Sequence, residues 1–423
     1  MAGREKRKVR LVARFQWPLQ ARILRARVPE FIAQYPELDL EVEIPEAELG
    51  VTEKVLKAMS LGRHEADILD LHSNFEVALA VKGNLRHGIL DLTDLVADVK
   101  DQFVGWEPCT WRGRVYGLPS MLAGSAYYYR EDIFSDLGID PNAFDTWDDF
   151  IRAGKEVKQA TGAFMTPLDI ASYNQFQPLA LHNGGGWFDA SGKLILDAER
   201  TVEALQLYQD LLLKHEVAWP ATQFYGSDTW QAFREGRIVG AYMPEWFGAN
   251  EMRHNLPGMA GKFRIAVAPA FHSDEGRSGY RGGMCACVVR GPDEDVAFEL
   301  LRFSRLTLSA QLATFEEEFL APSMLAAYDD PAVADYEYEF LGGQKVGRVY
   351  ARMARLLQPF HVGEQLMEVQ QIINRRVIPD VTSGAATPRQ SLSEAAAEVR
   401  LNPITLENAL SLDGDDALRI KGD

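Results

Sequence analysis

Two periodicities alternate along the opening of the chain. Leu38, Leu40, Val42 and Ile44 alternate with Asp39, Glu41 and Glu43, which predicts a strand with one buried face. Ahead of it, Leu24, Val28, Phe31, Ile32 and Tyr35 recur at helical spacing and predict a helix over 19–35. "VRLVARF" at 9–15 and "ADILDL" at 66–71 read as two more strands, with a helix over 52–61 before the latter. Strand–helix–strand–helix–strand is an α/β opening. The alternation continues downstream. Thr146 followed by Asp149 resembles a capping box, Thr387-Pro388-Arg389-Gln390 is a fuller one, and 199–214 is a strongly amphipathic helix. "GSAYYYREDIF" at 124–134 puts Tyr127 and Tyr129 on one face of a strand and Tyr128 on the other.

Composition narrows the class. At 423 residues the chain exceeds what one core usually serves, so about two domains are expected, and without a Pro/Ser-rich linker the chain is expected to cross between them more than once. The net charge of −17 argues against a nucleic-acid partner. No apolar run approaches the ~20 residues that span a bilayer. The basic start, with Arg4, Lys6, Arg7 and Lys8, has no apolar core or cleavage site of a signal peptide and reads as a solvated leader. The chain is then cytoplasmic, or has lost a signal. Cys109, Cys285 and Cys287 are an odd set without redox-motif or zinc spacing, and read as small buried thiols.

Signatures of catalytic chemistry are mostly absent from the sequence. There is no G-x-S-x-G, H-E-x-x-H, P-loop or G-x-G-x-x-G pattern, the eight histidines are scattered, and no carboxylate pair stands out as acid and base, so neither a metal nor a cofactor is expected. What does stand out is aromatic rings beside chain breakers: Trp17 in "FQWP", Trp187 in "HNGGGWF", Trp246 in "YMPEWFG" and Phe360 in "LQPFHVG". A large ring there either plugs the fold or meets a ligand, and a sugar, with its C–H face and rim of hydroxyls, suits a flat ring with planar polar partners. Trp106, Trp111, Trp147, Trp219 and Trp230 read as structural.

Seven segments in order carry a family likeness: "PEFIAQYPELDLEVEI", "ALAVKGNLRHGILDLTDLV", "WRGRVYGLPSMLAGSAYYYREDIFSDLGID", "TWDDFIRAGKEV", "WQAFREGRIVGAYMPEWFG", "RGGMCACVVRGPDEDVAFELLRFSRLT" and "LAPSMLAA". In their order and spacing the chain, over about 9–400, resembles the extracellular solute-binding proteins of ABC sugar importers, the maltose-binding-protein-like group. The resemblance implies an α/β, two-lobed periplasmic-binding-protein fold of type II with three crossings, near 119–124, 273–281 and 322–330. The N-terminal lobe would hold 1–121 and 279–325, the C-terminal lobe 122–278 and 326–423. It also implies a sugar in the cleft, hinge closure, and delivery to the permease subunits of a membrane importer. The protein would be a monomeric, non-enzymatic carrier outside the cytoplasm, its signal or lipid anchor removed. By local match the ligand would meet Gln16, Trp17, His72, Asn74, Ser120, Asp169, Tyr173, Asn174, Trp187, Glu245, Trp246, Arg281, Gly283 and Phe360. Trp246 would stack on the sugar; Glu245, Asn74 and Asn174 would bind hydroxyls. His72, Ser73 and Asn74 stand where the family often has a tryptophan and an aspartate, which argues against maltose-like specificity. The tyrosine strand would be core architecture. The rivals are a carboxylate-dependent glycan-cleaving enzyme and a ligand sensor for a membrane receptor, and Arg281 leaves room for a phosphorylated ligand.

Overall fold

A computed structural model describes residues 6–72, 88–272 and 278–401, with the backbone alone at His72. Eight strands form the two principal sheets: β1 (Arg7–Arg14), β2 (Leu38–Glu43), β3 (Ile68–His72), β4 (Leu118–Pro119), β5 (Ser125–Arg130), β6 (Gly240–Pro244), β7 (Phe263–Ala266) and β8 (Met284–Val288). The first sheet runs β2-β1-β3-β8-β4, the second β6-β5-β7. β1 pairs in parallel with both β2 and β3, as strand–helix–strand connections require, whereas β8 enters antiparallel to β3 and β4. The chain thus leaves the first sheet after β4 and returns to it only at β8. Two α/β lobes result.

The predicted opening elements are present with small shifts of boundary: α1 (Pro18–Gln34) and α2 (Val51–Ser60) join the first three strands. Pro18 sits at the first turn of α1, where its missing N–H is not needed. α3 (Trp147–Thr161) begins with Asp149 accepting hydrogen bonds from the Thr146 N–H and hydroxyl, so the shorter Asp still closes the predicted box. The amphipathic stretch forms α4 (Glu199–Gln209) and runs on as a π-helical turn to Lys214. α5 (Glu294–Arg305) covers the first sheet, and α6 (Pro388–Leu401) starts with the Gln390 N–H donating to Thr387 Oγ1.

The tyrosine strand β5 is the centre of the second sheet and buried throughout. Tyr127 and Tyr129 stack, with centroids 6.2 Å apart, in the core that holds Phe150, Trp187 and Tyr208. Tyr128 points into the opposite core with Phe233, Phe263 and Tyr350. Each hydroxyl finds a partner: Tyr127 donates to the Met165 carbonyl and Tyr128 to that of Glu245. One strand with two buried faces therefore needs aromatics with polar tips on both.

The cysteines depart from expectation. Cys109 and Cys285 form a disulfide across 176 residues of sequence, with Cα atoms 6.1 Å apart, while Cys287 lies buried in the same core. The spacing of an odd set gave no sign of this; β8 brings Cys285 beside the segment ahead of the small hairpin 110–115.

Candidate functional site

The segment after β4, the segment before β8 and the end of β6 bond to one another. The Arg281 N–H donates to the Ala123 carbonyl (2.8 Å), and the Glu245 N–H donates to that of Gly124 (3.0 Å). Ala123 is fully buried with φ +53, a left-handed conformation unfavourable for a residue with a Cβ. Its N–H donates to Glu245 Oε1 at 3.0 Å, which helps hold it there. Gly282 and Gly283, with φ +80 and +98, supply the same region of backbone without that strain. A Cβ at Gly282 would stand 3.4 Å from Trp246 Nε1, and one at Gly283 would run into the Tyr280 hydroxyl.

From this seam a polar and aromatic cluster builds along the second lobe. Trp246 is half-buried, packs against both second-lobe cores, and donates its indole N–H to the Arg281 carbonyl at 3.1 Å. The Arg281 guanidinium donates to the Asn174 carbonyl (3.0 Å) and side-chain oxygen and lies 5.8 Å from the Tyr173 ring centroid. Asn174 in turn donates to Asp169 Oδ2 at 3.2 Å. Asp169 ends a buried strand, and its Oδ1 accepts the Ala171 N–H. Burial pushes its carboxyl up, opposed by the Ala171 N–H, Asn174 and the charge of Arg281. Tyr225 completes the group: 37% of its surface is exposed, yet its hydroxyl, in the field of Arg281, Glu251 and Asp169, is pushed up chiefly by desolvation. Burial likewise raises the Glu251 carboxyl. The sequence reading missed Tyr225 and Glu251, which stand in no motif; the one available signal was an aromatic run, "FYG", beside a glycine.

The first lobe offers a different wall. Trp17, 46% exposed, sits at the start of α1. Gln16 is nearly buried, its N–H donating to Asp70 Oδ1 and its Oε1 accepting the Gly50 N–H. Ser120 is also buried, its Oγ accepting from Arg305 at 2.7 Å. Asn74 lies outside the described residues, as does the His72 side chain.

Three expected contacts sit elsewhere. Glu245 is 0% exposed; burial pushes its carboxyl up to about 8 against the pull of backbone N–H groups, so it supports the crossing and presents no oxygen to a ligand. Trp187 is 1% exposed and packs on Phe176 inside the second lobe. Phe360 is as deeply buried, stacked on Tyr280 of the second crossing at 5.8 Å. Both rings plug the fold. The segment from Ser120 to Ala123, expected to face the cleft, is likewise buried. A cavity of about 350 Å³ lies apart from the cluster, between the hairpin 110–115 and the segments 190–192 and 361–364. Trp106, Trp111, His361 and an Arg112–Glu364 ion pair (2.5 Å) border it.

The arrangement can hold a polar molecule against a ring and donate or accept at its edge. Among the described residues no group of His, Cys, Asp and Glu has the makings of a metal site. The sequence pattern of the bacterial extracellular solute-binding proteins matches residues 17–303, more than half of the chain. The chain belongs to this family. Among curated relatives of this solute-binding protein is the arabinooligosaccharide-binding protein of Halalkalibacterium halodurans, 26% identical over 360 residues, or 82% of this chain and 79% of the relative. A second protein of that name, from Bacillus subtilis, is 24% identical over 386 residues, 88% of each chain. Among solved structures, the sugar-binding protein MalE from Xanthomonas citri superposes with a TM-score of 0.73 at 17% identity, covering 93% of this chain and 96% of that one. Maltose-bound MalE3 of T. maritima gives 0.68 at 23% identity, over 93% and 99%. These likenesses carry the fold: two lobes of the maltose-binding type.

Proposed function

We propose that this solute-binding protein binds a carbohydrate, an oligosaccharide, between its lobes, closes on it, and hands it to the membrane subunits of an ABC importer. The observation that carries this reading is the cluster at the seam: one half-buried indole, a guanidinium and amide fixed to each other, a carboxyl and an accessible tyrosine. Trp246 supplies the stacking face; Asn174, Arg281, Asp169 and Tyr225 meet hydroxyls; Trp17 approaches from the first lobe. Residues 1–121 with 279–325 and 122–278 with 326–423 then act as the two moving bodies, joined by three crossings. The ligand shifts the open–closed equilibrium by the difference in its affinity for the two states. The carrier works as a monomer outside the cytoplasmic membrane and performs no chemistry. The names of the two relatives make arabino-oligosaccharides the first ligands to try.

Thermal unfolding across a panel of arabino-, malto- and galacto-oligosaccharides tests this. A ligand of the folded state adds about 2.7 kcal/mol of stability at a hundredfold excess over Kd. A large shift with one oligosaccharide, and unaltered sugar after overnight incubation, is the expected result. No shift with any sugar overturns the carbohydrate reading, and new reducing ends overturn the absence of chemistry.

A further inference from the structure

Behind the first-lobe wall lies a charged network that the binding cluster does not use. Asp70, midway along β3, and Arg305, the last residue of α5, are both almost wholly buried. Asp70 Oδ1 accepts the Gln16 N–H at 2.9 Å, and the Asp70 carbonyl accepts from Thr52 Oγ1 at 3.0 Å. Arg305 reaches the other side of the same wall, donating to Ser120 Oγ and to Gln20 Oε1, each at 2.7 Å. The Arg305 carbonyl accepts from Gln311, whose own Oε1 accepts the Ser323 N–H. Two sets of hydrogen bonds, coupled through the charges of Asp70 and Arg305, therefore touch the loop before α1, Ser120 and the chain near 323.

Several polar atoms of these groups go unpaired. Asp70 and Arg305 feel each other's charge, yet no ion pair within 4 Å joins them among the described contacts, and Asp70 Oδ2, Arg305 Nε and Gln20 Nε2 are buried without a hydrogen-bond partner. Replacing buried ionic groups by apolar side chains is often neutral or stabilising. What these groups supply is placement. We infer that Asp70 and Arg305 are positioning residues for ligand binding, setting the Gln16–Trp17 loop and Ser120 from behind the cleft wall. This rests on the reading of the cleft as the binding site.

The ionisable groups that face the pair are each other and, for Arg305, the Cys287 thiol. Desolvation pushes the Asp70 carboxyl up to about 7, opposed by the Gln16 N–H and Arg305, and brings Arg305 down to about 10. At pH 8 Asp70 is charged and accepts strongly from the loop; at pH 6 it is protonated and accepts weakly. Arg305 stays charged across that window. Loop order and affinity are thus greater at pH 8.

The test uses the whole chain without ligand first. Amide exchange of the Gln16–Trp17 segment, corrected for the intrinsic effect of pH, is measured at pH 6 and 8 in wild type, Asp70→Asn, Asp70→Ala and Arg305→Met. Protection in wild type falls on going to pH 6. Asp70→Asn keeps an acceptor, so it retains protection and loses the pH step; Asp70→Ala and Arg305→Met lose protection at both values. Titration with arabinotriose then shows affinity about tenfold weaker in Asp70→Ala, with rescue in Asp70→Asn. A wild-type pH step that persists in Asp70→Asn overturns the inference, as does loop protection unchanged in Arg305→Met. If wild type does not bind arabinotriose, the titration is repeated with the oligosaccharide that raises the melting temperature most; equal affinity of wild type and Asp70→Ala for a sugar that wild type binds overturns the inference. Should Asp70→Ala not fold, the Asp70→Asn and wild-type pH comparison decides alone.

Discussion

Each lobe buries a carboxyl, and different groups oppose the effect of burial on the two. Desolvation pushes the Asp70 carboxyl of the first lobe up to about 7, opposed by the Gln16 N–H and then by the charge of Arg305. Desolvation pushes the Glu245 carboxyl of the second lobe up to about 8 against the pull of backbone N–H groups, so at neutral pH it is mostly a neutral acid. In the first lobe Gln16 and Ser120 are both buried, Gln16 bonded to Asp70 and Ser120 to the Arg305 guanidinium. The second wall holds its own polar groups in a chain from Trp246 through Arg281 and Asn174 to Asp169. All three cysteines, and the Cys109–Cys285 bridge, belong to the first lobe. The difference is one of construction: buried groups bonded to backbone and to each other's neighbours in the first lobe, and a linked chain of polar side chains in the second.

Breaking the disulfide should have the largest effect. A disulfide closing a long loop typically contributes about 2–4 kcal/mol, so Cys109→Ala with Cys285→Ala, or reduction, should lower stability by that order. Denaturant melts with and without reductant check it; superimposable curves would contradict the bridge. Next is Glu245. A carboxyl raised on folding gives stability that is whole below pH ~4.5 and lost as pH rises through about 8. Stability should therefore fall by roughly 2 kcal/mol or more between pH 5 and 9, and Glu245→Gln should flatten that slope. A variant with the parental slope would refute a neutral acid at this site.

Trp246→Ala should weaken ligand binding by about 1–2 kcal/mol, or roughly tenfold, while Trp187→Ala, a core truncation, should act on melting instead. Calorimetric titration beside a melt separates the two; equal affinity in Trp246→Ala would remove it from the site. The smallest expected effect is Asn174→Ala, about 1 kcal/mol, since Arg281 keeps the Asn174 carbonyl as an acceptor. An affinity loss larger than that of Trp246→Ala would reverse the assigned order of the two.

Much of the fold was legible because periodicity is local. The opening strands and helices, the Thr146 box and the two faces of the tyrosine strand all follow from neighbours in sequence. Where a ring beside a breaker ends up was not legible from sequence. Trp246 stays half-buried at the seam because Arg281 and Gly282 approach it from the other crossing. Trp187 and Phe360 have similar surroundings in sequence and turn inward onto Phe176 and Tyr280. The Cys109–Cys285 bond, the Asp70–Arg305 pair and Tyr225 depend on segments far apart, so spacing could not announce them.

On the proposed function, ligand occupies the space between the lobes and draws them together. Small-angle scattering of the chain, alone and with the oligosaccharide that raises its melting temperature most, addresses this directly. A smaller radius of gyration on binding, abolished in Trp246→Ala at the same sugar concentration, is the predicted result. An unchanged radius at saturation would contradict closure, and with it the account of the seam as the binding site.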